Sequence, residues 1–339
     1  MADFLFLGIK MILQLPTESG MLEDYKLVGQ PLQSIPVKKN ASRVIFSAAH
    51  VVADPMSRQD PSGPAAVDWT ATLAFRRYLA GLGLGIAEAM DTAQRGMGLD
   101  WNGALELIRQ TKAELPNSLV MNGAGTDHLL PQDARSLDDV ISAYLEQIDA
   151  IQKLDGRVII MASRALAQIA RGPTDYAKVY DRVLAACDAP VILHWLGEMF
   201  DPALAGYWGG KDFEEAMDVA LGIINENIAK VDGIKISFLD KDKEIIMRRR
   251  LPEGAKMYTG DDFNYPELMA GDSESFSHAL LGIFDPLASA IGGAMACLDK
   301  GDHDGFRAAL DPTVPLARLI FRAPTQYYKT GVVFLAWLN

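Results

Sequence analysis

A single lysine stands among apolar and small residues in the stretch Val231-Asp-Gly-Ile-Lys-Ile-Ser-Phe-Leu-Asp240. Ile234, Ile236 and Phe238 alternate there with Gly233, Lys235 and Ser237, which is the period of a short buried strand. Lys235 is therefore expected to point into the protein interior, where an ammonium is costly to hold. A lysine so placed tends towards the neutral amine, and the neutral amine is a nucleophile. The chemistry this predicts is addition to a ketone or aldehyde with loss of water. The resulting iminium is an electron sink for C–C cleavage or for loss of a β-hydroxyl. The structural reading of the same residue is a solvated lysine at a strand end, or one paired with Asp262.

His194, within Val191-Ile-Leu-His-Trp195, is the second group suited to proton transfer. Imidazole titrates near neutral pH and can act as general acid or base on a substrate hydroxyl; packed beside Trp195, it would be structural instead. Glu88, Asp91, Asp127, His128, His194 and Asp262 also form a mixed oxygen and nitrogen set of the kind a divalent metal accepts. In that alternative Lys235 stabilises charge and forms no bond. The set lacks His-x-His or His-Glu-x-x-His spacing, so no metal is expected. No phosphate-cradling Gly-Lys-Ser/Thr sequence is present, and no cofactor is expected.

Asp91, Asp127 and Asp262 around one mouth would repel a 2-keto acid carboxylate by roughly a few kcal/mol. Arg95 and Arg164 could offset this. Otherwise the substrate is a keto-sugar or sugar acid whose hydroxyls donate to the aspartates, an arrangement that ionised acceptors strengthen. Solvated loop aspartates are the plain alternative for each.

The elements that must position these groups follow from periodicity. Short apolar runs cover 43–49, 83–89, 118–123, 157–162, 190–195, 232–237, 256–260 and 275–281. Amphipathic stretches lie between most of them, at 69–82, 102–114, 137–154, 176–186 and 213–228, with caps such as Asp68 and Thr174-Asp175. Eight runs with helices between them predict a (β/α)8 TIM barrel, with catalytic groups at the C-terminal strand ends. A doubly wound sheet is weakened because no Gly-x-Gly-x-x-Gly opens a helix after the first run. Histidines 50, 128, 194 and 278 all fall near the predicted strand ends. Residues 11–30 carry a turn signal at Thr17-Glu-Ser-Gly20 and predict a short β-hairpin. A C-terminal helical extension over 313–339 completes the chain. The expected division is an extension and hairpin over 1–42 and a catalytic barrel over 43–339, with 1–10 as a start-site extension. Tyr207-Trp-Gly-Gly210 reads as a flap, an oligomer contact or a loop held by its own rings.

A net charge of −12 disfavours nucleic acid and anionic membranes as partners. No apolar run is long enough for a membrane span, and the first ten residues lack a signal-peptide pattern. Two cysteines, Cys187 and Cys297, far apart and without metal-ligand spacing, fit packing roles in a reducing cytoplasm.

With Gly233-Ile-Lys235 followed by Thr259-Gly-Asp-Asp-Phe263, Asp285-Pro286 and Ala323-Pro-Thr-Gln-Tyr-Tyr-Lys329, the chain from 43 onwards resembles the dihydrodipicolinate synthase and N-acetylneuraminate lyase superfamily. These are class I aldolase-type barrels whose sixth-strand lysine forms a Schiff base. The resemblance implies Lys235 as the imine-forming residue of a lyase or aldolase acting on a small carbonyl compound. It places His194 where the family has a proton-shuttling hydroxyl. Asp91, Thr92, Asn122, Ser163, Arg164, Ser237, Gly260 and Asp262 are the expected substrate-binding positions, and a homo-oligomer, dimer or tetramer, is implied. Three departures mark a divergent branch. Ala89-Met-Asp-Thr-Ala-Gln-Arg95 replaces the family's Gly-Thr-Thr-Gly-Glu turn, His194 replaces a tyrosine, and Ala162-Ser-Arg-Ala165 stands where a Pro-Tyr-Tyr-type segment is usual. Loss of the carboxylate-binding turn also keeps open a non-catalytic ligand-binding barrel.

Overall fold

A computed structural model of the protein describes residues 12–27, 34–54, 56–60 and 63–338. The expected extension at 1–10 lies outside these. Strands β1 (Ile12–Pro16) and β2 (Leu22–Lys26) pair antiparallel around the predicted turn. This hairpin is one compact unit; the second begins at Ser34.

In the second unit eight parallel strands close into a barrel: β3 (Ile45–Ala48), β4 (Gly85–Glu88), β5 (Val120–Ala124), β6 (Arg157–Ile160), β7 (Val191–Leu196), β8 (Val231–Ser237), β9 (Lys256–Thr259) and β10 (His278–Leu281). Around it run α1 (Trp69–Gly81), α2 (Trp101–Glu114), α3 (Leu137–Lys153), α4 (Arg164–Ile169), α5 (Pro173–Ala185), α6 (Phe213–Glu226), α7 (Lys241–Arg250) and α8 (Tyr265–Ala270). A helical extension follows, of α9 (Ala288–Leu298), α10 (His303–Leu310), α11 (Val314–Ile320) and α12 (Tyr328–Leu338). Among the described residues no helix is long and apolar enough to cross a membrane.

Local chemistry explains the helix starts. Asp68, Asp100, Ser136, Asp212 and Asp240 each accept a backbone N–H of the first turn, satisfying donors that have no partner within the helix. The period-two alternation of the strands divides the core in two. Phe46, Ala87, Met121, Ile159, Ile192, Tyr258 and Leu280 fill the barrel, whereas Ile234, Ile236, Leu193 and Ile86 face the helices. Lys235, between Ile234 and Ile236, is therefore on the inner side of its strand.

Some polar residues expected at the mouth serve the wall instead. Glu88 points outward between β4 and the helices. There both its oxygens meet Arg76 at 2.7 Å, and Thr111 donates to it at 2.7 Å. Asn122, an even-numbered neighbour of inward Met121, likewise faces away from the interior, and its amide donates to the Arg157 carbonyl at 2.9 Å. The expectation that Asn122 binds substrate does not fit this placement. His278 lies at the start of β10, the opposite end from the mouth, and accepts the Val44 N–H at 2.9 Å. The Tyr207–Gly210 loop is held by its own rings: Tyr207 packs on Tyr176 at 4.9 Å, Trp208 on Tyr180 at 4.6 Å, and both are buried.

Candidate active site

Lys235 lies in the C-terminal half of the sixth barrel strand with 4% of its surface exposed. Its neighbours in register are His194 on β7 and Tyr258 on β9. Its stem passes over Gly260. A Cβ at that position would come within 2.8 Å of Lys235 Cε, 2.3 Å of Ser237 Oγ and 2.5 Å of the Ile236 carbonyl oxygen. Gly260 thus leaves the space that the lysine occupies.

His194 Nε2 lies 3.3 Å from Ser237 Oγ. Burial, with Lys235 adding to it, pushes the imidazole down to about 3, so the ring is neutral in ordinary buffers. It was expected to titrate near neutrality; in a dry site beside a lysine it offers one N–H and one lone pair and carries no charge.

Two aspartates diverge. Burial alone would raise Asp91, but Lys235, then His194 and Lys329, together with the Tyr328 hydroxyl, hold it down to about 2. Burial dominates at Asp262 and lifts it to about 8, although the Ile283 N–H donates to its Oδ1 at 2.9 Å and Lys235 acts in the opposite direction. One carboxyl is thus ionised and the other protonated at neutral pH. Such a split marks out a base and an acid within one site.

The turn after β4 is built to present Asp91. Ala89 adopts a positive φ of 55°, and Arg95 Nη1 donates to the Ala89 and Gly123 carbonyls at 3.1 and 2.9 Å. The same guanidinium pairs with Asp127, which also receives an N–H from Gln147. Thr92 Oγ1 is 3.0 Å from the Tyr328 hydroxyl, and that hydroxyl donates to Asp91 Oδ2 at 2.8 Å. Asp91 Oδ1 is buried without a hydrogen-bond partner.

A cavity of about 230 Å³ opens beside this cluster, with Asp91, His194, Arg164 and Lys329 on its walls. The remaining lining combines Arg95, Thr126, Asp127 and Asp201 with an apolar stretch that includes Leu129, Leu130, Met161, Phe200 and Leu204. The structure therefore gathers Lys235, His194, Ser237, Gly260, Asp91, Thr92 and Asp262 at the C-terminal end of the barrel. Arg164 reaches the cavity but pairs with Asp201 at 2.6 Å. Ser163 does not join the cluster: its hydroxyl caps α4 by accepting the Leu166 N–H at 3.0 Å and contacts Thr126 Oγ1 at 2.6 Å. The six residues offered for a metal do not converge. Glu88 and Asp127 are committed to arginines, and among the described residues no three His, Cys, Asp or Glu side chains form a group able to hold an ion.

Sequence reasoning missed Tyr328 and Lys329. They arrive from α12, and periodicity shows only a helix there; nothing local signals that it returns to the mouth. Met97 and Met161 also line the cavity.

The barrel has the dihydrodipicolinate synthase fold in a divergent form. The solved synthase from Oceanobacillus iheyensis superposes with a TM-score of 0.66 at 15% identity, over 87% of this chain and 86% of that one. The synthase from Bacillus anthracis matches with a TM-score of 0.65 at 14% identity, over 86% and 88%. The chloride-inhibited synthase from Acinetobacter baumannii, in complex with pyruvate, matches with a TM-score of 0.60 at 17% identity, over 83% and 84%. A family model described as "Protein of unknown function (DUF993)" matches residues 13–339, and the chain belongs to that family. No curated protein matches.

Proposed function

We propose that the protein is a Schiff-base-forming lyase or aldolase for a small carbonyl compound, with Lys235 as the imine-forming residue. The observation that carries this reading is a lysine held inside the barrel at the C-terminal end of the sixth strand, 4% exposed, with a glycine making room for its stem. Lys235 Nζ adds to the carbonyl carbon. The carbinolamine hydroxyl leaves as water with the Asp262 proton, and the iminium that remains faces two carboxylates. Asp91 accepts the proton of a β-hydroxyl as the C–C bond breaks, and its electrons pass to the iminium to give an enamine. Neutral His194 orients the hydroxyl through its N–H or lone pair. The structural likeness to the synthases supports the fold on which this chemistry is built and leaves the substrate open.

Sodium borohydride trapping with pyruvate and with hydroxyacetone tests the proposal. Wild type should gain the mass of one reduced adduct on the peptide containing Lys235, and Lys235→Ala should gain none there. An adduct that persists in the alanine variant, or a wild type that traps neither compound, ends the reading.

A further inference from the structure

The cations around the cavity are not equivalent. Arg95 is spent on Asp127, Gln147 and two carbonyls, and Arg164 on Asp201. Lys329 Nζ forms no ion pair among the described residues; its contacts are Met97 Sδ at 3.1 Å and the face of the Tyr328 ring, 5.3 Å from its centroid. Only 8% of Lys329 is exposed. Holding an ammonium out of water without a bonded anion is costly, so a counter-ion that arrives with a ligand would relieve it. Asp91 on the same cavity wall has the complementary deficit, a buried carboxylate oxygen with no donor. Asp91 is held by the hydroxyl of Tyr328, the residue next to Lys329, and shares the cavity wall with His194, the register neighbour of Lys235. The ammonium and the imine lysine thus approach Asp91 from different elements, α12 and β8.

We infer that Lys329 anchors an anionic group on the half of the substrate remote from the imine carbon, with Asp91 Oδ1 accepting the hydroxyl between them. Resting on the Schiff-base reading, this names the substrate class as a β-hydroxy ketone whose aldehyde half carries a carboxylate or phosphate. Any hydrocarbon part of that half lies against Leu129, Leu130, Phe200 and Leu204. On cleavage the hydroxyl proton goes to Asp91, the C–C electron pair goes to the iminium, and the anionic aldehyde leaves. Asp91 then returns its proton to the enamine carbon, and water hydrolyses the product imine to regenerate the Lys235 amine. The polyhydroxylated, uncharged keto-sugar considered from sequence fits this cavity less well, because Asp127, one of the aspartates offered for its hydroxyls, is already bonded to Arg95 and Gln147.

The test needs no imine. Two probe pairs differ in the anion: 4-hydroxybutyrate against 1,4-butanediol, and glycerol 3-phosphate against glycerol. Titrated into the full-length protein, the anionic member of at least one pair should bind roughly tenfold or more tightly, as a charge-assisted hydrogen bond implies. The pair that shows the preference identifies carboxylate or phosphate. Lys329→Gln should abolish the preference and Lys329→Arg should retain it. Equal affinity within both pairs in wild type, or a preference that survives in Lys329→Gln, overturns the inference. The titrations are repeated in Lys235→Ala. A preference kept there, alongside failed trapping in wild type, would end the imine reading and leave the anion site standing.

Discussion

The protonation of two aspartates sets how the site responds to pH. Asp262 titrates at about 8 in the folded chain and near its ordinary 3.8 when unfolded. Between those values the native state holds a proton that the unfolded state has released, so stability falls as pH rises, by up to about 1.4 kcal/mol per pH unit for one such group. Asp91, held at about 2, acts in the opposite sense: its contribution is complete above 3.8 and is lost as the solution is acidified towards 2. Replacing Asp262→Asn keeps an acceptor for the Ile283 N–H and removes the titration. Urea-unfolding free energies of the variant should fall less steeply from pH 5 to 8 than those of wild type. Parallel curves would show that Asp262 does not hold its proton. Lys235 and its neighbours could be found in sequence because a charge inside an apolar alternation is conspicuous. Tyr328 and Lys329 could not, because their importance comes from where α12 ends up.

At the scale of the element, β8 and the turn after β9 act as one device. The strand presents Lys235 and Ser237 on its inner edge, and Gly260 supplies the missing Cβ volume that lets them lie there. Gly260→Ala would collide with backbone as well as side chain, so relief by a rotamer change alone is unavailable. The variant should lose about 1–3 kcal/mol of stability, as overpacked cores do, and should trap carbonyl compounds more slowly than wild type at saturating probe. A stable variant with unchanged trapping would mean the lysine stem has slack. The alternation of Ile234, Ile236 and Phe238 made this strand predictable. The same alternation rule, applied to β5, also explains why Asn122 turns away: its inward neighbours are Met121 and Gly123.

Over the whole molecule, the barrel wall is tied to its helices by buried polar links as well as apolar packing. Arg76 on α1 and Glu88 on β4 are fully buried and bidentate, and Arg76 Nη1 also donates to the His50 carbonyl at 2.8 Å, joining the segment just after β3 to the pair. Arg76→Met leaves the Glu88 carboxylate without its cation and should cost about 3–5 kcal/mol. Arg76→Met combined with Glu88→Leu should recover a large part of that loss in denaturant titrations. If the double variant is no more stable than the single one, the pair's worth lies in its extra hydrogen bonds to His50, Thr72 and Thr111 and not in the charges.

Periodicity and length alone determined the eight-stranded barrel, the hairpin before it and the inward lysine, because strand and helix repeats are local and survive without knowledge of contacts. Tertiary structure decided what each polar residue near a strand end does. An acid such as Glu88 and an acid such as Asp91 look alike in sequence; which one meets a buried arginine and which one meets a cavity depends on strand parity and on a helix that returns from more than 200 positions away. Charge in a closed, dry space is set by every group that converges there, and that convergence exists only once the ring of strands has closed.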